Sequence, residues 1–425
     1  MFFVDFMISS LIVRLVRRIQ RRDRSATGAD GGSPSRLSPT NFGIVMARKK
    51  VLLIAASGYR FVYPQIPDAA ELLSRAGHSV VSIIPKDTEV MAWNAGRGFE
   101  IKATNNIRSK IRGVGAIWYM LQSIPEVLKA DVVIGSCTTE LPLLLLANIL
   151  PNKKAIYHMS ELAIPSIRGN GGYAWLQYIL PYTGIEIFTT GTQRSRILKA
   201  LVGLATVPKE INLGALRVTK AISRPPESTF AERIRQKAGR PNAIVALCSG
   251  GLDPLCGFDL LLEAAIPAES GVLIGMVGRL STDMAKMVAE AHATTGNYFY
   301  LGELGGSRYD LIANLRGADL GFAMKKMDHS QIMGDRLYTP TKLFDFIAAG
   351  VPVLCSRQST LGFVKRRGVG LVLSEWSASA IRDVLLSLPA RRGELAEMAK
   401  AAREGFDNDL NFEAAAQPLV EAVER

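Results

Sequence analysis

The chain has 425 residues, 48% of them hydrophobic, with 38 Gly, 20 Pro and a formal net charge of +13. That length exceeds one ordinary core and predicts two domains of about 150–200 residues, with the composition of a soluble α/β protein. No apolar run reaches the roughly 18–20 residues that span a bilayer. Cys137, Cys248, Cys256 and Cys355 stand singly, without CxxC spacing, which excludes a disulfide framework and a structural zinc site and points to a reducing cytosol.

Residues 1–50 hold ten basic and three acidic residues, so +7 of the +13 lies there and the rest of the chain carries +6, which argues against a nucleic-acid partner. Arg14, Arg17, Arg18, Arg21, Arg22 and Arg24 follow an apolar stretch from Phe2 to Val13. Apolar and basic residues in that order suit an interfacial anchor on anionic lipid and do not suit a secretory signal. A second reading competes. Met46-Ala-Arg-Lys-Lys-Val-Leu-Leu-Ile has the form of a start that runs straight into a strand, and the Ser/Gly/Pro-rich residues 25–40 separate it from the basic run. Residues 1–45 are therefore read as a disordered basic extension.

From Val51 onward, strands and helices alternate, the pattern of a doubly wound parallel sheet. VLLIAAS, SVVSIIP, DVVIGS, KKAIYHM and EIFTT read as strands, with helices at 65–76, 111–128, 140–149, 173–180 and 193–201 between and after them. The strands are continuously apolar, as expected when both sheet faces are covered. Residues 205–228, ending in SRPPES, lack a period and read as a linker. A second set follows: AIVALCS, GVLIGMVG, NYFYLG, ADLGFAM and GLVL as strands, with helices at 258–265, 284–293, 309–315 and 377–387. Helices at 394–404 and 411–423 close the chain. The domains expected are 46–204 and 229–405, with 406–425 a terminal helix crossing back to the first.

Thr339 to Leu354, TPTKLFDFIAAGVPVL, compresses a helix start, an apolar helical face, a Gly stop and a buried strand into one block. Thr339 or Thr341 is expected to cap the helix, Gly350 to end it, and Val351 to Leu354 to form the strand. Lys342 and Asp345 share one side of the first turns, where backbone N–H groups and the dipole favour anions. From spacing alone a solvated ion pair fits as well.

The block resembles the nucleotide-site signature of GT-B glycosyltransferases, in particular the family 4-like bacterial enzymes. The resemblance covers Ala243 to Leu373. It implies two Rossmann-like, doubly wound domains facing a cleft, with the nucleotide-sugar domain second. It further implies that Asp345 grips the ribose hydroxyls, a task suited to paired carboxylate acceptors. The family's usual Arg and Lys clamp on the donor diphosphate is missing, because Ser249-Gly250-Gly251 and Cys256 stand at those places, and Leu337 replaces the first of its paired glutamates. Lys342, Arg279, Thr341 and the backbone of Gly250 and Gly251 are the expected substitutes.

On the acceptor side, Ser57 and Gly58 form a turn after the first strand, which simple turn geometry also explains. Tyr157-His158-Met159-Ser160-Glu161 resembles the family's tyrosine, histidine and glutamate segment. By that resemblance His158 or Glu161 orients the acceptor hydroxyl or the transferring sugar. Arg97, Lys102, Arg108, Lys110 and Arg112, followed by Ile117, Trp118 and Tyr119, make a basic stretch with an aromatic edge that suits an anionic membrane or a solvated face. Asp407-Asn408-Asp409 reads as capping at a helix start. The sequence thus predicts a cytoplasmic or peripherally membrane-bound hexosyltransferase, retaining and metal-independent, without a cofactor. Its substrates would be a nucleoside-diphosphate sugar and a saccharide or lipid-linked acceptor, in polysaccharide or glycoconjugate synthesis. A nucleotide-sugar epimerase on the same fold and a catalytically degenerate binding protein are the alternatives.

Overall fold

The computed structural model describes residues 47–55, 65–86, 97–105, 114–159, 174–211, 226–303, 307–325 and 339–425. In the first lobe the strands are β1 (Lys50–Ile54), β2 (Ser79–Pro85), β3 (Glu100–Thr104), β4 (Val132–Gly135), β5 (Lys154–Met159), β6 (Glu186–Thr189) and β7 (Lys209–Glu210). The helices are α1 (Gln65–Arg75), α2 (Val114–Lys129), α3 (Leu141–Ile149) and α4 (Thr192–Val202). All pairings are parallel, in the order β3-β2-β1-β4-β5-β6-β7. The central strands bury side chains on two faces. Val51 and Leu53 meet Ile66, Ala69, Ala70 and Leu73 of α1, whereas Leu52 and Ile54 face the apolar residues of α2 and α3.

In the second lobe, α5 (Phe230–Ala238) leads into β8 (Ile244–Ser249), α6 (Phe258–Glu263), β9 (Val272–Val277), α7 (Thr282–Thr295), β10 (Tyr298–Tyr300) and α8 (Arg308–Leu315). Then come β11 (Leu320–Ala323), α9 (Thr341–Ala349), β12 (Val353–Cys355), α10 (Gly362–Arg366), β13 (Gly370–Val372), α11 (Ala378–Ser387) and α12 (Arg392–Asn408). The parallel order β10-β9-β8-β11-β12-β13 repeats the reversal at the first strand that marks a doubly wound sheet. The last helix, α13 (Phe412–Glu424), lays Phe412, Ala416, Leu419 and Val423 onto the core of the first lobe. Lys154 Nζ donates to its Ala422 carbonyl at 2.6 Å.

Several local readings change. β3 was not foreseen, because Glu100 and Lys102 alternate along a half-exposed edge strand instead of forming an apolar run. β7 extends the first sheet into the stretch read as linker. Helix α5 was missed although it opens with a capping box, in which Glu232 N donates to Thr229 Oγ1 at 3.3 Å and Thr229 N to Glu232 Oε2 at 2.7 Å. Pro340 is the N-cap of α9 and neither Thr339 nor Thr341 caps it with its side chain. Asp407 and Asn408 end α12 rather than start a helix, and Asn411 caps α13, accepting from Ala414 N at 2.9 Å.

Candidate functional site

The chain leaves β1 into α1 and β10 into α8, so the starts of both helices lie beyond the carboxyl ends of parallel strands. Those starts touch: Asp68 and Glu71 of α1 meet Arg308 and Tyr309 of α8. The carboxyl edges of the two sheets therefore face each other across a cleft, where ligands of doubly wound sheets bind.

On the second lobe's side, the turns after β8 and β9 interlock through their backbones. Gly250 N donates to Val277 O at 2.9 Å and Leu252 N to Arg279 O at 3.2 Å, while Gly278 N donates onward to Gly302 O, after β10, at 3.0 Å. A Cβ on Gly278, whose φ is +136°, would lie 1.9 Å from the Gly250 carbonyl, so only glycine fits. The Gly250–Gly251 turn lies against α9, and Lys342 Nζ donates to Gly251 O at 3.4 Å. Ser249 is buried at the end of β8, and its Oγ has no partner among the described residues. The first N–H groups of α9 receive no side-chain cap. Lys342, Thr341, Gly250 and Gly251 thus converge around a helix start that favours an anion. Arg279 leaves the end of β9 half exposed, with its Nε donating to Glu303 at 3.2 Å.

Asp345, on α9, is buried at 6% exposure and is not paired with Lys342. Arg308 Nε and Nη2 both reach its Oδ1, at 2.8 and 2.7 Å, and Arg308 Nη1 donates to Asp68 Oδ2 in the other lobe. Arg97 Nη1 donates to Asp68 Oδ1 at 2.8 Å and lies 3.5 Å from Glu71 Oε2. Tyr309 OH donates to Glu71, and its ring sits 5.1 Å beneath the Arg97 guanidinium. Burial pushes the Asp345 carboxyl above its ordinary range, against the pull of Arg308. Burial works against the charge on Arg308 as well, but Asp345 and Asp68 outweigh it and hold the guanidinium protonated. Tyr309 is likewise pushed well up, by burial first and by the neighbouring carboxylates Asp68 and Glu71.

The sequence reading missed Asp68, Glu71, Arg308 and Tyr309, and placed Arg97 on a basic surface. The available signal was an Asp–Glu pair three apart on α1, a spacing that puts both on one face. Lys102 is also paired, at 3.0 Å from Glu126 and 3.6 Å from Glu100. Tyr119 is buried, accepting from Ala55 N at 3.0 Å and donating to Ile83 O at 2.9 Å, so it is no part of an exposed aromatic edge. Ile117, Trp118 and Leu121 are exposed by 50, 39 and 54%. Arg108, Lys110 and Arg112 lie outside the described residues.

His158 sits at the end of β5 at 2% exposure, and its Nε2 has no partner among the described residues. Burial lowers its pKa to about 4, so the imidazole is neutral at physiological pH. Ser57, Gly58 and Glu161 lie outside the described residues. A cavity of about 860 Å³ opens between the lobes on the other flank of α9. Phe344 and Phe363, stacked at 6.1 Å, line it from the second lobe, and Gly191, Thr192 and Arg196 from the first.

This architecture is the GT-B fold, two Rossmann-like lobes with facing carboxyl edges. HepE of Anabaena, solved in complex with UDP and glucose, is 14% identical with a TM-score of 0.67, and the match covers 88% of this chain and 99% of that one. WaaG, a glycosyltransferase involved in lipopolysaccharide biosynthesis, is 15% identical with a TM-score of 0.64, over 88 and 99% of the two chains. Sucrose-phosphate synthase from Thermosynechococcus elongatus is 14% identical with a TM-score of 0.65, over 88 and 98%. At these identities the likeness establishes the fold. No protein-family model matches the chain, and no curated protein matches it in sequence.

Proposed function

We propose that the protein is a glycosyltransferase that moves a hexosyl unit from a nucleoside-diphosphate sugar to a saccharide or lipid-linked acceptor, with retention of configuration. The observation that carries the reading is the convergence on one GT-B cleft edge of Asp345, Lys342, the uncapped start of α9 and the Gly250–Gly251 turn. UDP and glucose bound to HepE support a nucleotide-sugar donor for this cleft.

In this reading Asp345 accepts from the ribose hydroxyls. The diphosphate lies at the start of α9, where Thr341 N–H, Lys342 and the Gly251 N–H meet it, with Arg279 at the outer end; the Gly250 N–H, already donated to Val277 O, shapes the turn instead. As the glycosidic bond breaks, negative charge grows on the leaving diphosphate, and these fixed donors stabilise it. They fill the electrostatic role a divalent ion would have, so transfer is expected to survive chelation. Glu161 is assigned to the acceptor hydroxyl, and neutral His158, three residues earlier, to holding that segment. The exposed Ile117, Trp118 and Leu121 would bring the first lobe to an anionic membrane carrying a lipid-linked acceptor, and the setting proposed is polysaccharide or glycoconjugate synthesis at the cytoplasmic face.

The test is release of nucleoside diphosphate from UDP-, GDP- and ADP-sugars, with and without a mixture of saccharide acceptors. Acceptor-stimulated release from one donor, reduced at least a hundredfold in Glu161→Gln with nucleotide binding intact, is expected. Nucleotide binding without turnover from any donor would instead identify a degenerate binding protein.

A further inference from the structure

We infer that Arg308 is a positioning residue that ties recognition of the donor ribose by Asp345 to closure of the two lobes. Its guanidinium is shared. Nε and Nη2 hold Asp345 Oδ1 in the second lobe, while Nη1 holds Asp68 Oδ2 in the first. The side chains of Asp68, Arg308 and Asp345 are 1, 3 and 9% exposed, so water does not substitute for a lost partner. Both contacts to Asp345 end on one oxygen. Oδ2 has no hydrogen-bond partner among the described residues and is left to accept from a hydroxyl. The two guanidinium nitrogens pin Oδ1, and because Cβ, Cγ and both carboxylate oxygens are coplanar, fixing Oδ1 fixes the direction in which Oδ2 points.

The fork is fixed in turn by the other lobe. Arg97 holds the second oxygen of Asp68, and Tyr309, next to Arg308, holds Glu71, one helical turn from Asp68. Two consecutive residues of α8 therefore engage two residues of one face of α1, which registers the lobes at two points. Parting the lobes would take Arg308 from Asp68 and release one anchor of the fork. The oriented carboxylate and the closed cleft thus depend on the same cation. Whatever binds Asp345 better in this orientation favours closure by the factor by which closure favours its binding.

The inference rests on the donor-site reading above. Its test is calorimetric titration of the nucleoside diphosphate that the wild type binds into Asp68→Asn, Asp68→Glu and Arg308→Lys, each checked for a native melting transition. Asp68→Asn keeps the shape of a side chain in the opposite lobe from the donor site, and Arg308→Lys keeps the charge but loses the fork. Each is expected to weaken binding about tenfold, and Asp68→Glu to restore it. Adding Asp68→Asn to Asp345→Ala should cost nothing further, a closure of the cycle that general destabilisation would not produce. In small-angle scattering, ligand-free Asp68→Asn should have a larger radius of gyration than wild type. The two failures are distinguishable. Binding lost in Asp345→Ala but intact in Asp68→Asn overturns this inference alone, whereas a wild type that binds no nucleotide overturns the donor-site reading and this inference with it.

Discussion

Arg308→Met would remove the cation that Asp68 and Asp345 share, leaving two carboxylates, 1 and 9% exposed, without it. At a charge separation of about 4 Å and an effective dielectric of about 20, each attraction is ~4 kcal/mol, most of it offset by the cost of desolvating three ions. Deleting one member of a buried pair costs about 3–5 kcal/mol, because the stranded charge keeps its desolvation penalty. Asp68 retains Arg97 at 2.8 Å, which places the expected loss at the lower end, about 3 kcal/mol. Asp345 would take up a proton, since burial already pushes its carboxyl upward and Arg308 is what opposes that shift. Urea denaturation followed by tryptophan fluorescence and far-UV circular dichroism at pH 7 measures the effect, with both lobes' transitions fitted. The double variant Arg308→Met/Asp345→Asn removes the carboxylate that would be stranded, leaves Asp68 paired with Arg97, and should recover to within about 1 kcal/mol of wild type. A single variant within about 0.5 kcal/mol of wild type, the ordinary range of surface changes, would refute the claim that these charges are held by one another.

Three further outcomes follow from the geometry. His158 has a folded pKa of about 4 against an ordinary 6.5, so the unfolded chain binds the proton more readily and stability falls as pH drops from 6.5 toward 4. About 2 kcal/mol should be lost by pH 5 through this residue, and His158→Gln should lose that much less between pH 7 and 5 in the same denaturation assay; equal losses would contradict the assignment. Gly278→Ala places a Cβ against the Gly250 carbonyl and should cost about 2–3 kcal/mol, displacing the turn and weakening nucleotide binding; calorimetry matching wild type would show the turn is not part of the site. Replacing Trp118 and Leu121 by serine should reduce flotation with vesicles containing anionic lipid, and unchanged flotation would remove α2 from any membrane contact.

The parallel sheets were legible because their strands are apolar without interruption: VLLI, VVIG, IVALCS and VLIGMV carry no competing pattern, and glycine stops such as Gly350, at φ +72°, mark the helix ends. Strands lacking that signal escaped, as with the charged edge strand β3. Thr341, Lys342 and Asp345 could be grouped from the sequence because they stand in one block on one helix. The inter-lobe network could not. Its members at 68, 71, 97, 308, 309 and 345 are joined only by tertiary structure, and each looks alone like an ordinary solvated charge or a helix-start residue. Asp345 shows the limit most clearly, since its spacing from Lys342 suggested a surface pair while its partner lies 37 residues away on another helix.

The central claim, a nucleotide-sugar donor site built on Asp345, is tested most directly by calorimetric titration of UDP, GDP, ADP and their sugars into wild type and Asp345→Ala. The account predicts that one base binds the wild type and that its affinity falls by about 10–100-fold in the variant, the worth of a charge-assisted hydrogen bond of about 1.5–3 kcal/mol. Equal affinity in both proteins, or no binding of any nucleotide by the wild type, would contradict it.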